Sequence, residues 1–410
     1  MSALGQAITA RYPAFSHALY RRYWLASLAS VGATQLITLG QGWLIFELTA
    51  SVKYLGYLGA AAAAPNILIT LFGGVVADRV DKRQILRVTS MVITTLLATL
   101  AWLDWSGQVQ AWHVLLIAGL VSATTGFDWP TRVAIFPHLV DRAAMMSAVA
   151  MNSFVWQVTR MAVPALGGIL MYFGGTWVIF AIAAMGFFVM FLVISSIHVT
   201  VPSPTTRAPL QQLLDGITFI ARNDLFKWLI GLTFVCMLLG QSYVQILPVF
   251  VDQMGLNERG YGYLLSASGV GSIVGTLAIG AINEDKPLSA TMFGGGAGSV
   301  LALWAFVWCA YNGWFIASLV VIFLMASFST LFLITSTSLL QMRVPDELRG
   351  RVMGIHSIGY SMVPLGGIVL GALSDFMSPG MAVVATTSTF LAMLLLAWVA
   401  KAQLRDLTLR

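Results

Sequence analysis

Two ionisable residues, Asp128 and Arg160, lie deep inside apolar stretches of this sequence. A charge in a hydrocarbon interior costs about 2.5–3.5 kcal/mol on insertion scales, so such residues pair, gate or carry protons. If they sit on adjacent antiparallel helices, Asp128 and Arg160 are expected to pair, or to share a hydrogen-bonded network, in at least one conformation. The pair reads either as structural or as a proton-coupling gate in which protonated Asp128 releases Arg160. Glu47, near the outer end of the first apolar run, is a third proton-coupling candidate, with a solvated helix end as its plainer reading.

Uncharged polar residues stud the same stretches. Gln35, Gln41, Asn66, Asn152 and Gln157 lie in the first half, and Gln241, Gln245 and Gln341 in the second. Trp43, Trp156 and Tyr243 fall among them. Amides mixed with aromatics suit a water-filled cavity for an amphipathic ligand, although each alone also serves to hydrogen-bond helix to helix. The five histidines are scattered, so no metal site is expected. No HExxH, GxSxG or other catalytic set occurs, so neither an enzyme nor a cofactor is expected. The run Gly294–Gly298 looks like a phosphate loop but lacks the Lys-Ser/Thr ending and lies in an apolar helix, where glycine serves packing.

The elements that position these residues follow from composition. The chain has 410 residues, 58% of them hydrophobic and 9% charged, with mean hydropathy +0.85. A soluble domain carries roughly 25% charged residues. So few charges cannot cover a water-facing surface, and the chain reads as an all-α integral membrane protein. Its apolar runs are unbroken, unlike the alternating strands of a membrane β-barrel. Twelve spans of about 20 residues are expected. They cover 23–47, 55–77, 84–103, 110–136, 145–172, 176–197, 226–251, 260–282, 288–309, 313–338, 350–374 and 380–401. The stretch 198–225, with Pro202, Pro204 and Pro209, reads as a cytoplasmic linker between two six-helix bundles, 1–197 and 226–410.

The net charge of +6 would suggest nucleic acid in a soluble protein, but here the positive-inside rule accounts for it, and no nucleic-acid partner is expected. With the N-terminus inside, every Lys and Arg except Lys53, Arg259 and the intramembrane Arg160 falls in a cytoplasmic segment. Both termini are therefore expected in the cytoplasm. Cys236 and Cys309 lie in apolar runs and read as small buried hydrophobes.

The halves echo each other. At an offset of 206, Tyr57-Leu58 matches Tyr263-Leu264, Gly74 matches Gly280 and Asp78 matches Glu284. Pro164, Gly167 and Gly168 in the fifth span correspond to Pro364, Gly366 and Gly367 in the eleventh. Parallel repeats of this kind are a transporter architecture, with the substrate site at the repeat interface.

The segment Gly74-Val-Val-Ala-Asp78-Arg79-Val-Asp81-Lys82-Arg83 joins the second and third spans. It resembles the signature loop of the major facilitator superfamily, G-x-x-x-D-R-x-G-R-R, with Asp81 where glycine is usual. That Asp-for-Gly form is similar to the branch of enterobactin exporters and macrolide-type efflux proteins. Gly42–Ser51, Phe127–Arg132, Asn152 with Arg160, and Val344–Arg351 also resemble that branch, over about residues 20–400. The resemblance implies gating roles for Gly74, Asp78, Arg79 and Arg83. It also implies an antiporter-like motif at Pro164, Gly167 and Gly168, although Val163 replaces the usual glycine.

Taken together, these features read as a major facilitator fold of two pseudo-symmetric six-helix bundles. The resemblance implies a monomeric secondary transporter of a bacterial inner membrane, driving proton-coupled efflux of a small amphipathic compound, drug-like or siderophore-like. Substrate, protons and membrane lipid are its expected partners. The alternatives are a facilitator-fold nutrient importer, and a non-transporting membrane protein such as a sensor or scramblase.

Overall fold

The computed structural model describes residues 11–77, 81–197, 209–280 and 288–400, and among them every regular element is a helix. The helices are α1 Ala18–Thr49, α2 Val52–Ala77, α3 Lys82–Trp105, α4 Ala111–Ile135, α5 Met145–Gly174 and α6 Thr176–Ser196. Then come α7 Pro209–Arg222, α8 Asp224–Val235, α9 Leu247–Gln253, α10 Glu258–Gly280, α11 Leu288–Tyr311 and α12 Phe315–Arg343. The last described helices are α13 Asp346–Ile358, α14 Met362–Leu373 and α15 Pro379–Ala400. Each of the twelve expected spans meets a helix or an interrupted helix at its place. Ten described segments are long and apolar enough to cross a membrane. The helices at the other two expected spans, α1 and α2, are 32 and 26 residues long. At 1.5 Å per residue both exceed a hydrocarbon core of about 30 Å.

Two spans are interrupted. Asp224–Gln253 runs as α8, a π-turn at Cys236–Gly240, a 3-10 turn at Ser242–Ile246, and α9. Asp346–Leu373 is broken by a 3-10 turn at Gly359–Ser361. The expected linker is not all irregular, because Pro209 opens the amphipathic helix α7. Proline at the first position of a helix loses no hydrogen bond that a helix interior would have supplied.

The chain divides into two compact units: unit 1 is 1–44 with 64–206, and unit 2 is 45–63 with 207–410. The end of α1 and the first part of α2 thus group with the later helices. In unit 1 a core forms around Tyr20, Tyr23, Leu86, Ile135, Met190 and Ile194. Tyr20 Oη donates to the Ala148 carbonyl at 3.0 Å and Trp24 Nε1 to that of Met151 at 3.0 Å, tying the start of α1 to α5. Gly175, with φ +83°, makes the abrupt turn from α5 into α6.

Unit 2 is held by close helix crossings. A Cβ on Gly366 of α14 would overlap Ser242 Oγ and the Leu238 carbonyl oxygen of the interrupted span. Ser242 Oγ donates to Leu238 O at 2.5 Å and lies 3.0 Å from Val363 O. A Cβ on Gly56 would lie 2.8 Å from Gly367 O, and one on Gly371 3.4 Å from Lys53 Cα. Lys53 and Asp375 form an ion pair of 2.8 Å beside this crossing. The Gly294–Gly298 run lies within α11, and a Cβ on Gly295 would sit 2.8 Å from Phe328 O of α12.

Candidate functional site

In unit 1, α4 carries Asp128 and Arg132 four residues apart, so both point to the same side of the helix. Asp128 is 5% exposed and Arg132 7%. Arg132 Nε donates to Asp128 Oδ2 in a buried ion pair. Each partner is also bound from another helix. Thr89 of α3 donates its hydroxyl to Asp128 Oδ1 at 3.0 Å. Arg132 Nη1 donates to Ser30 Oγ of α1 at 2.7 Å. The guanidinium lies 5.9 Å from the centre of the Phe187 ring of α6, within cation–π range. Removing two charges from water costs several kcal/mol per ion, and their mutual attraction offsets it only with such added hydrogen bonds.

In this structure the expected pairing is not made. Asp128 meets Arg132, not Arg160, which is exposed on α5. Arg160 is exposed even though Thr159 before it and Pro164 one turn on are buried. Arg132, expected among the cytoplasmic cations, lies in α4, which runs through Pro130 to Ile135 as the expected span does, and it is buried there.

Beside the pair lies a small cavity. Tyr23, Ser27 and Val31 of α1 line it, together with Trp129, Arg132 and Phe136, and with Asn152 and Trp156 of α5. Trp129 and Trp156 meet edge to face, with centroids 5.2 Å apart. The Trp156 indole N–H is buried and has no acceptor among the described residues. Two expected cavity residues, Asn152 and Trp156, are thus brought to Arg132. The signal that would have found Arg132 is its i,i+4 spacing from a buried acid.

The other candidates are dispersed. Gln35, Asn66 and Gln157 are half-buried. Gln41 and Trp43 are buried in α1, and the Gln41 side-chain amide nitrogen has no acceptor among the described residues. In unit 2, Gln241 donates to Ser329 of α12 at the break in the seventh span. Tyr243 is buried there, and Gln245 packs against Gly367. Glu47 and Gln341 are exposed near the ends of their helices.

In the signature loop, Gly74 falls in α2, while Asp78 and Arg79 lie outside the described residues. Asp81 is the N-cap of α3, where its carboxylate accepts the Arg83 backbone N–H at 2.9 Å. That gives the unusual residue of the loop a local role. Arg83 donates from Nε to Ile194 O at 3.1 Å and from Nη2 to Ser195 O at 2.6 Å, satisfying carbonyls at the end of α6. Asp81→Ala should lower thermal stability by about 1 kcal/mol, the usual cost of a lost N-cap. An unchanged melting temperature would show that the cap contributes nothing.

In α5, a Cβ on Gly167 would lie 2.6 Å from Leu39 Cδ2, so the glycine admits α1. Val163, where the antiporter motif has glycine, faces Gly32: a Cβ there would be 3.6 Å from Val163 Cγ2. At this level of the crossing the small residue stands on α1.

The family model described as transmembrane secretion effector matches residues 9–407. The staphyloferrin A transporter of Staphylococcus aureus is 25% identical over 353 residues, 82% of this chain and 85% of its own. The enterobactin exporter EntS of Escherichia coli is 25% identical over 371 residues, 89% of this chain and 87% of its own. Among solved structures, the nucleoside transporter NupG superposes with TM-score 0.76 at 13% identity, over 93% of this chain and 98% of that one. A bacterial homologue of the iron transporter ferroportin gives 0.73 at 15%, over 92% and 98%. These likenesses show the fold, and the expectation of a transporter rather than an enzyme stands. The chain belongs to the transmembrane secretion effector family of multi-pass membrane transporters, within the major facilitator superfamily.

Proposed function

We propose that this transporter exports a small amphipathic, siderophore-like compound across a bacterial inner membrane, as a monomer with both termini in the cytoplasm, and that proton binding at Asp128 drives it. The observation that carries this reading is the buried Asp128–Arg132 pair beside a cavity walled by Trp129 and Trp156. A carboxylate in a span is stable when ionised only through its partners. Protonation of Asp128 removes the counter-charge of Arg132, leaving the guanidinium with Ser30, the Phe187 ring and whatever enters the cavity. Arg132 and the indole N–H of Trp156 suit an anionic or oxygen-rich group, and the indole rings suit an aromatic or apolar one. The siderophore class is supported by both relatives, the staphyloferrin A transporter and the enterobactin exporter, and the direction by the second.

The test is flux in proteoliposomes with an imposed pH gradient, using enterobactin and staphyloferrin A as first substrates. Asp128→Asn keeps the shape of the side chain and cannot ionise. It should abolish pH-driven flux while substrate counterflow, which needs no net proton movement, persists. Undiminished pH-driven flux in Asp128→Asn would remove the proton role and leave the pair as structure. A reporter fused after Arg410 and active only outside the cell would overturn the orientation.

A further inference from the structure

A second site lies on the outside of unit 1, away from the buried pair. The start of α3 and the end of α6 bound a groove of about 480 Å³. Its rim is polar: Asp81, Arg83, Gln84 and Arg87. Its floor is apolar: Val88, Met91 and Val92 of α3, with Phe191 of α6. Val88 is 55% exposed and Val92 39%, so the floor is open to the surroundings of the helices. From Arg83 to Val92 the helix rises roughly 14 Å, about half of a hydrocarbon core. Charge therefore sits at one depth and apolar surface at the next, matching the order of a phospholipid from phosphate to acyl chain.

The charges at the rim are unequally free. Asp81 already accepts the Arg83 backbone N–H. Arg83 uses Nε and Nη2 on the carbonyls of α6, leaving Nη1. Arg87 is exposed and has no hydrogen-bond or ion-pair partner among the described residues. Two guanidinium groups thus face one carboxylate that is partly engaged. We propose that this groove binds one anionic phospholipid, its phosphate on Arg83 and Arg87 and one acyl chain along Val88, Met91, Val92 and Phe191. The site needs only that these helices span a bilayer, and it is independent of the transported compound. Basic pockets between spanning helices on the cytoplasmic side hold such headgroups.

The full-length protein, delipidated in detergent, is titrated with phosphatidylglycerol, phosphatidylethanolamine or phosphatidylcholine, and bound lipid is counted by native mass spectrometry. Wild type should retain one phosphatidylglycerol in preference to the other two. Arg87→Ala should weaken that retention about fivefold, the effect of one cation near a lipid phosphate, and Arg87→Lys should retain most of it. Asp81→Asn, which still caps the helix, should keep or strengthen it. Water-soluble glycerol phosphate should not displace the lipid, whereas Val88→Asn should weaken its binding. Because Arg87 bonds to nothing described, its variants should fold, as size-exclusion chromatography would check. Equal retention of the three lipids, or unchanged binding in Arg87→Ala, overturns the proposal. So does displacement by glycerol phosphate. Weaker binding in Asp81→Asn also overturns it, in favour of an aminophospholipid.

Discussion

Arg132→Ala should lower the stability of the protein by about 3–5 kcal/mol, because it leaves Asp128 buried without its counter-ion. Thr89 alone would then hold the carboxylate, from a single hydroxyl. The expected result is a large fall in the yield of monodisperse protein and in its melting temperature in detergent. Removing both charges is a different perturbation. Asp128→Asn with Arg132→Met leaves no uncompensated ion, and replacing a buried pair by groups of similar volume is often nearly neutral. The double variant should therefore be more stable than Arg132→Ala while lacking pH-driven flux. If Arg132→Ala melts within about 1 kcal/mol of wild type, the pair is solvated and its burial has been misread. The two variants together separate the cost of an unpaired buried charge from the loss of pH-driven transport.

Gly366→Ala should cost at least about 3 kcal/mol, at the upper end for an overpacked core. The added methyl would overlap both Ser242 Oγ and the Leu238 carbonyl oxygen. A side chain can turn away, but a carbonyl in a helix break moves only with its backbone. Ser242→Gly should therefore fail to rescue Gly366→Ala. Gly294→Ala is the control. Nothing lies within 4 Å of a Cβ at Gly294 in α11, so it should be neutral or stabilise by about 0.5–1 kcal/mol through helix propensity. A rescue by Ser242→Gly would show that the hydroxyl alone sets the spacing.

The helices were legible in the sequence because a bilayer imposes one pattern, roughly 20 apolar residues, on every span. The breaks were less so. Nothing in Cys236-Met-Leu-Leu-Gly240 departs from an apolar run, and its π-turn lies against α14 and α15, which a linear pattern does not show. Pro209 counts with Pro202 and Pro204 towards a linker in the sequence, but proline breaks only a helix interior and is welcome at its start. At the site, Asp128 stood out by its depth, but depth does not tell which side of a helix a residue faces. Arg160 has the depth but is exposed on α5. Arg132 has the face, and its place near the end of α4 made it look like a loop cation. Ser30 and Thr89 carried no signal, since short hydroxyl residues stud every span and most bond to their own helix.

The grouping of residues 45–63 with unit 2 has a consequence for synthesis. Gly56 packs against Gly367, and a methyl on Gly59 would overlap the Pro364 carbonyl. A ribosome moving at about 5–20 residues per second makes these partners roughly 300 residues, or about 15–60 s, apart. For that interval the small-residue face of α2 is in the membrane without the helix it fits. A helix that must wait cannot rely on a strong apolar match to any passing neighbour. Glycine offers little side-chain surface to a wrong partner and becomes specific only when another backbone reaches it. The notch can therefore stay vacant during elongation and be filled last, by α14.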